Sequence, residues 1–197
     1  MPIVTEYAQN EGNPFHILIS TVLSLRTKDK TTAEASKRLL GMADNPETMQ
    51  RLTAKEIEKL IYPVGFYRVK AENIVLLCQK LLEDYEGRVP DEIDELLTFK
   101  GVGRKTANLV VTLGYNKPGI CVDIHVHRIT NRWGYVQTKN PEATEIALRA
   151  KLPSEYWIEI NDLLVTYGQN LCAPVSPKCS ECEIINYCDQ KGVERSR

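Results

Sequence analysis

The feature that most constrains this chain is a group of four cysteines near its end, Cys172, Cys179, Cys182 and Cys188. The intervals between them are six, two and five residues, so four of the six cysteines fall in a short segment. Four thiolates so close in sequence suit either a tetrahedral zinc ion or a [4Fe–4S] cluster, because four cysteines can hold both. We therefore expect a metal centre to organise this end of the chain, and the spacing alone does not separate the two metals.

The start of the chain argues against disulfide pairing of these cysteines. Residues 1–6 contain no basic segment followed by an apolar stretch, so no secretory signal is visible. No apolar run approaches the length of about 18 residues that a transmembrane helix needs. We expect a cytoplasmic protein, associated with the nucleoid if the source is prokaryotic, whose thiols are reduced. Cys78 and Cys121 lie among apolar residues and are expected to be small members of the core.

Apolar residues recur at helical spacing along most of the 197 residues, and no segment alternates at period two for long enough to build a sheet. The sequence therefore predicts an all-α fold, with Pro14 opening the first helix, Asp29 capping the second, and Thr53 and Glu56 forming a capping box for the third. The other helices are predicted at 69–85, 91–97, 104–113, 123–133, 141–151 and 156–171.

The net charge of −1 gives no sign of a nucleic-acid partner, but the charges are unevenly distributed. Residues 83–95 carry seven acidic side chains against Arg88, whereas residues 100–132 carry six basic side chains against Asp123. Each charge acts over roughly 10 Å in physiological salt, so a neutral chain with one basic surface can still bind a polyanion.

Residues 96–107 place a short helix, a Gly-x-Gly turn and a second helix in succession. Glycines allow the backbone to approach a ligand closely, and the amides at the start of the second helix are suited to bind phosphate. The segment looks like a helix-hairpin-helix, which binds the DNA backbone without reading its sequence. The predicted DNA-contacting residues here are Lys100, Gly101, Val102, Gly103, Arg104 and Thr106.

Lys105 and Asp123 are the candidate catalytic residues. The helix N-terminus and partial burial would both favour a neutral Lys105 amine, which can attack a sugar C1′ atom and form a Schiff base. The alternative is a lysine that only contacts phosphate. Asp123 opens a helix, so it is expected as an N-cap that also presents its carboxylate at the edge of a cleft. His125 and His127 are too far from the cysteines in sequence to be assumed metal ligands.

Three segments taken together, at 101–107, 122–128 and 172–188, resemble the endonuclease III family of DNA glycosylases, and the resemblance extends from Pro14 to Cys188. It implies a six-helix barrel domain with the hairpin, packed against a helical iron–sulfur domain with the DNA cleft between them. It also implies that the four cysteines hold a [4Fe–4S] cluster rather than zinc. The implied domains are residues 8–117, with the hairpin at about 94–115, and residues 1–7 together with 118–197.

The resemblance also implies the activity. Lys105 matches the nucleophilic lysine of the family and Asp123 its essential aspartate, so the expected enzyme is a bifunctional DNA glycosylase and abasic-site lyase of base excision repair. It would remove oxidised or ring-saturated pyrimidines and cleave the strand by β-elimination. The implied partner is double-stranded DNA with a damaged base or abasic site, and we expect a monomer without membrane association. Two alternatives stay open: a mismatch thymine or pyrimidine-dimer glycosylase of the same superfamily, or a non-catalytic DNA-binding module with a structural four-cysteine metal site.

Four positions bear on how the chain would bind DNA. Arg26 stands where the family commonly has glutamine and would fill the gap left by a flipped base. Phe66 stands where a leucine wedge is frequent, and an aromatic ring there can stack on bases. Lys100 replaces a usual proline and would add a phosphate contact. Lys178 is the single basic residue between Cys172 and Cys179 and is expected to face a phosphate.

Overall fold

The computed structural model describes residues 12–197, and every regular element in that part of the chain is helical, as the periodicity predicts. The chain divides into two compact units, the first ending at Lys117 and the second spanning Pro118–Arg197. The predicted assignment of residues 1–7 to the iron–sulfur domain lies outside the described residues. None of the described helices is long and apolar enough to cross a membrane.

Seven helices build the described part of the first unit. Asn13 caps the first of them, since its Oδ1 accepts a hydrogen bond from the Phe15 N–H at 2.9 Å. Thr53 and Glu56 form the predicted capping box of the fourth. The helices are α1 (Pro14–Ser24), α2 (Asp29–Met42), α3 (Pro46–Met49), α4 (Ala54–Ile61), α5 (Tyr67–Tyr85), α6 (Ile93–Leu96) and α7 (Arg104–Leu109), which continues as a π-helical turn over Val110–Gly114.

Helix α1 is the central element of the first unit. It is buried over almost its whole length, and Ile17, Leu18, Ile19 and Leu23 are fully inaccessible to solvent. A helix that is apolar on every side has to be surrounded by other elements. It packs against α2, α5, α7 and the π turn, which together enclose it.

The second unit has three α-helices and a long irregular end. These helices are α8 (Ile124–Arg132), α9 (Pro141–Lys151) and α10 (Ile160–Asn170). Their core contains Ile120, Val126, Ile129, Leu148 and Leu164. Beyond α10 the backbone forms only two short 3₁₀ turns, Cys179–Glu181 and Ile185–Tyr187. Backbone hydrogen bonds from Asp189 to Trp133 and from Lys191 to Arg132, together with side-chain contacts, join this segment to the end of α8.

The structure differs from the predicted elements at several boundaries. Lys28 occupies the cap position of α2, and Asp29 is its first residue rather than its cap. Helix α3 was not predicted, because four residues are too few to show a period, although Asn45 and Thr48 form a capping box there. The predicted helix at 156–171 begins at Ile160, after a 3₁₀ turn.

Cys78 and Cys121 are buried, as expected, and burial together with the nearby Glu47 raises the pKa of the Cys78 thiol to about 12.

Candidate functional site

The predicted hairpin forms a turn between α6 and α7 that is apolar underneath and polar outside. Leu96, Phe99 and Val102 are buried, and the Val102 N–H donates to the Phe99 carbonyl at 3.1 Å. Lys100, Gly101 and Gly103 are exposed. The buried side chains therefore fix the turn from below and leave its glycine backbone on the surface, where a phosphate can approach it.

Gly101 has a conformation that a glycine suits. Its φ is +85°, in the left-handed region, and a Cβ atom placed there would lie 2.7 Å from Nδ2 of Asn73. Asn73 belongs to α5, so that helix supports the turn directly. A larger residue at position 101 would strain the backbone and displace the Asn73 amide.

Of the residues predicted to contact DNA in this turn, two have buried side chains. Val102 is 6% exposed and Thr106 1% exposed. Neither side chain is therefore placed to contact a ligand at the surface of the turn, and the Val102 N–H already donates to the Phe99 carbonyl. Arg104 is half-buried, and Lys100 is exposed beside it.

Lys105 is the second residue of α7, and its side chain is exposed. The partial burial expected from the sequence is therefore not observed. Its position directly after the glycine turn stands as predicted. An exposed amine there can reach a group that the turn holds.

Asp123 caps helix α8 in the second unit, as predicted. Its Oδ1 accepts hydrogen bonds from the N–H groups of His125 at 2.8 Å and Val126 at 3.0 Å. The side chain is half-buried. Two backbone donors fix the carboxylate in one orientation, and the positive end of the helix dipole favours a negatively charged side chain there.

Arg26 and Phe66 lie side by side on two adjacent turns of the first unit. The guanidinium carbon of Arg26 is 5.4 Å from the centre of the Phe66 ring, in a cation–π contact. Both residues are exposed, and both have φ in the left-handed region, at 54° for Arg26 and 58° for Phe66. Burial does not account for an exposed phenylalanine in this strained conformation, so Phe66 is a candidate for a functional role. We name Arg26 and Phe66 together the insertion pair.

The acidic segment of the sequence lies at a different part of the first unit. A cavity of about 760 Å³ is lined by carboxylates from Asp44, Glu47, Asp84, Glu86, Asp91 and Glu95, together with Arg88. An excess of negative charge repels a phosphate backbone. This cavity is therefore unsuited to DNA, and the hairpin and the insertion pair are the better candidates.

The four C-terminal cysteines of the second unit line one cavity. Cys172 is buried after the end of α10, and the other three are half-buried in and beside the 3₁₀ turns. Within residues 12–197, no group of three or more His, Cys, Asp or Glu side chains is arranged to hold a single metal ion. The four cysteines nevertheless line one common space.

Three polar groups contact the cysteine sulfurs, and the sequence did not reveal them. The buried Arg132 donates from Nη1 to the Cys172 sulfur at 3.2 Å, and the Tyr167 hydroxyl lies 2.9 Å from the Cys182 sulfur. The Gln190 N–H donates to the Cys188 sulfur at 3.4 Å. Burial raises the pKa of the Cys188 thiol, and the neighbouring cysteines add to that effect. Hydrogen-bond donors around sulfur suit thiolate ligands. Tyr167, shortly before Cys172 in the sequence, was the one feature that could have indicated such a donor.

Lys178 is half-buried, and its Nζ lies 3.6 Å from a carboxylate oxygen of Glu181. An ion pair between two such solvent-accessible side chains contributes little to stability, so the lysine can exchange its partner for a phosphate at small cost.

Comparison with known proteins places the chain among DNA repair enzymes. Residues 19–154 match the family described as HhH-GPD superfamily base excision DNA repair protein. The endonuclease III of Thermotoga maritima is 47% identical, over 99% of this chain and 95% of that protein. A trapped endonuclease III–DNA covalent intermediate superposes with a TM-score of 0.83 at 36% identity, over 90% of this chain and 84% of the other. A thermostable thymine-DNA glycosylase, at 24% identity and a TM-score of 0.82, shares the fold over 95% of this chain and 92% of its own.

Proposed function

Because the chain belongs to the endonuclease III family of base excision repair glycosylases and lyases, we propose that Lys105 and Asp123 carry its chemistry on damaged DNA. The observation that carries the proposal is the exposed Lys105 amine at the start of α7, directly after the glycine turn. The exposed backbone of that turn holds phosphate, and the amine beside it reaches the sugar.

The reaction begins when the damaged nucleotide leaves the base stack, because C1′ is not reachable inside the duplex. The Lys105 nitrogen then bonds to C1′ while the bond from C1′ to the base breaks, and the base takes the electron pair and a proton. The sugar ring opens to an imine. Loss of a C2′ proton breaks the C3′–O bond and cuts the strand on the 3′ side, and water hydrolyses the imine to release Lys105.

In this proposal Asp123 acts both when Lys105 becomes a nucleophile and when the base departs. As a carboxylate it would activate Lys105 as a nucleophile and stabilise the positive charge that develops on the sugar as the base departs. The two N–H bonds from His125 and Val126 preorganise it, so no reorganisation is needed when charge develops.

We propose that Cys172, Cys179, Cys182 and Cys188 hold a [4Fe–4S] cluster. Membership of the endonuclease III family supports an iron–sulfur cluster over zinc. The four cysteines line one cavity, and four cysteine thiolates are the usual ligands of such a cluster. When bound, the cluster supplies a rigid brace for a segment with little secondary structure. The donors from Arg132 and Tyr167 would offset the charge of its thiolates.

The substrates that fit the family are oxidised or ring-saturated pyrimidines in double-stranded DNA. A second candidate is a mismatch thymine or pyrimidine-dimer glycosylase, and Arg26 is the residue that favours it. A guanidinium in the gap left by a flipped base would donate hydrogen bonds to the orphaned base, above all to guanine.

Borohydride reduction of the imine tests the nucleophile and the substrate class together. Duplexes would carry thymine glycol, dihydrouracil, uracil, a T·G mismatch or a pyrimidine dimer. We expect a covalent adduct of the wild-type protein with thymine glycol and dihydrouracil, because borohydride traps the Lys105 imine.

Lys105→Ala should give no adduct with any duplex, whereas Lys100→Ala, which loses only a phosphate contact, should still be trapped. An adduct of Lys105→Ala would contradict the assigned nucleophile. Trapping only on the mismatch or the dimer would favour the second candidate. DNA binding without an adduct from the wild-type protein would indicate a non-catalytic module.

A further inference from the structure

We propose that Lys70 is a positioning residue that fixes the insertion pair, and thereby controls how the enzyme discriminates the base opposite the lesion. The inference rests on the proposed entry of Arg26 and Phe66 into DNA. It deepens that proposal by naming the group that holds their two turns together.

Lys70 lies near the start of α5, and its side chain is only 7% exposed. Its Nζ donates to the carbonyl of Leu23 at 2.9 Å, to the carbonyl of Leu25 at 2.6 Å and to Oγ1 of Thr27 at 3.3 Å. An ammonium group has three N–H donors. Each of them therefore has an acceptor, and all three acceptors belong to the segment that carries Arg26.

The acceptors explain why a lysine is buried at this position. Leu23 and Leu25 lie at the C-terminal end of α1, where backbone carbonyls lack helical partners and the helix dipole is negative. The Lys70 ammonium satisfies two of these carbonyls from another helix. Burial lowers the pKa of Lys70 to about 8, which reflects the cost of removing this charge from water. Such a costly contact is expected where the position of a loop matters.

The same contacts join the turn of Arg26 to the turn of Phe66. The Gly65 N–H donates to Thr27 Oγ1 at 3.1 Å, and the same oxygen accepts from Lys70. A Cβ atom at Gly65 would lie 2.5 Å from the Arg26 carbonyl oxygen, so the two backbones are in direct contact. Phe66 follows Gly65 and lies one helical turn before Lys70, so a shift of either turn displaces both members of the insertion pair.

A displaced insertion pair would affect the selectivity for the opposite base rather than the bond-breaking step. A group that enters the duplex must meet the orphaned base at hydrogen-bond distance, and a displacement of about 1 Å can cost up to about a hundredfold in rate. A loosened insertion pair would also lose its preference among opposite bases. Single-stranded DNA has no gap to fill, so its cleavage does not need the pair.

The test compares Lys70→Met with Lys80→Met, a matched change on the same helix at a surface lysine that pairs with Asp84. Single-turnover rates are measured for thymine glycol opposite each of the four bases in a duplex, and for an abasic site in a single strand. For Lys70→Met we expect a loss of about tenfold or more on the duplexes, a flattened opposite-base preference, and an unchanged rate on the single strand. Lys80→Met should match the wild type on every substrate.

An equal loss of rate on the duplexes and on the single strand, or an unchanged opposite-base preference, would overturn the inference. If Lys70→Met does not fold, Lys70→Arg is measured alone and together with Phe66→Ala. A positioning role predicts that the Lys70→Arg effect disappears once Phe66 is removed, and an undiminished effect would contradict it. If Arg26→Ala and Phe66→Ala alone change no duplex rate, the proposed role of the insertion pair fails. If Arg26→Ala and Phe66→Ala lower the duplex rate and the Lys70 variants do not, only the proposed role of Lys70 fails.

Discussion

Lys70 and Lys80 lie on the same helix, and their surroundings shift their pKa values in opposite directions. Burial lowers the pKa of Lys70 to about 8. A hydrogen bond to the Asp84 carboxylate at 2.6 Å is the main cause that raises the pKa of the surface residue Lys80. Lys105 is exposed at the start of α7. Three lysines of identical chemistry thus have three different environments, because solvent exposure and partners differ at each.

The shifted pKa of Lys70 predicts how stability depends on pH. In the unfolded chain Lys70 keeps its proton up to its ordinary pKa of 10.5, whereas the folded chain releases it near pH 8. The unfolded state therefore binds more protons in this window, and stability rises with pH there. From about pH 7 to about pH 9.5, urea denaturation should show the unfolding free energy of the wild type rising relative to that of Lys70→Met.

The reference variant makes this comparison specific, since the other lysines and tyrosines titrate equally in both proteins. A difference between the two proteins that stays constant with pH would show that Lys70 keeps its ordinary pKa in the folded state.

Residues of the site differed in how well the sequence revealed them. Lys105 and Asp123 follow turn and cap patterns, and both lie where those patterns predicted. Lys70 was missed, because a lysine in an amphipathic helix is usually on its solvated face. Only the packing of α5 against the end of α1 shows that it is buried.

At the scale of elements, the hairpin turn depends on Gly101 and on the helix beneath it. A non-glycine residue at a left-handed φ costs about 1–2 kcal/mol, and Asn73 leaves no room for a Cβ atom. We predict that Gly101→Ala lowers the unfolding free energy by about 1–2 kcal/mol. It should also weaken the binding of duplex DNA in fluorescence anisotropy titrations.

Gly41→Ala is the matched control, because Gly41 lies within α2 and a Cβ atom there meets nothing within 4 Å. This change should stabilise the protein by about 0.5–1 kcal/mol and leave DNA affinity unchanged. Equal effects of both substitutions would show that the turn tolerates a side chain.

Element types were predicted better than element ends. The capping box at Thr53 and the helix at 141–151 were predicted correctly, since local hydrogen bonds define them. The π turn at Val110–Gly114 was not, because a change in backbone hydrogen bonding leaves no trace in the spacing of apolar residues.

At the scale of the whole molecule, the second unit depends on the contacts of the segment beyond α10. Residues 171–197 contain only two 3₁₀ turns, and Arg132 ties this segment to α8 through the Cys172 sulfur and the Ala173 carbonyl. A bound cluster would join four points of the same segment. Its loss should therefore loosen this segment before it affects the helices of the first unit.

We predict about four iron atoms per chain in the purified protein, with matching sulfide. Cys182→Ser should lower the iron content and speed hydrogen exchange in residues 171–197, while the first unit keeps its protection. Ser180→Ala, an exposed change in the same turn, should retain iron and the wild-type exchange pattern. Stoichiometric zinc without iron would contradict the proposed cluster.

By itself, the sequence determined the helical class, the glycine turn with its lysine, the cap at Asp123 and the group of four cysteines. All of these follow from the local spacing of residues, because backbone geometry relates that spacing directly to helices, turns and caps. The tertiary structure decided which side chains meet across the fold: Arg26 with Phe66, Lys70 with the end of α1, and Arg132 and Tyr167 with the cysteines. Those contacts join residues far apart in sequence, 47 positions in the case of Lys70 and Leu23, and only the packing of helices selects them.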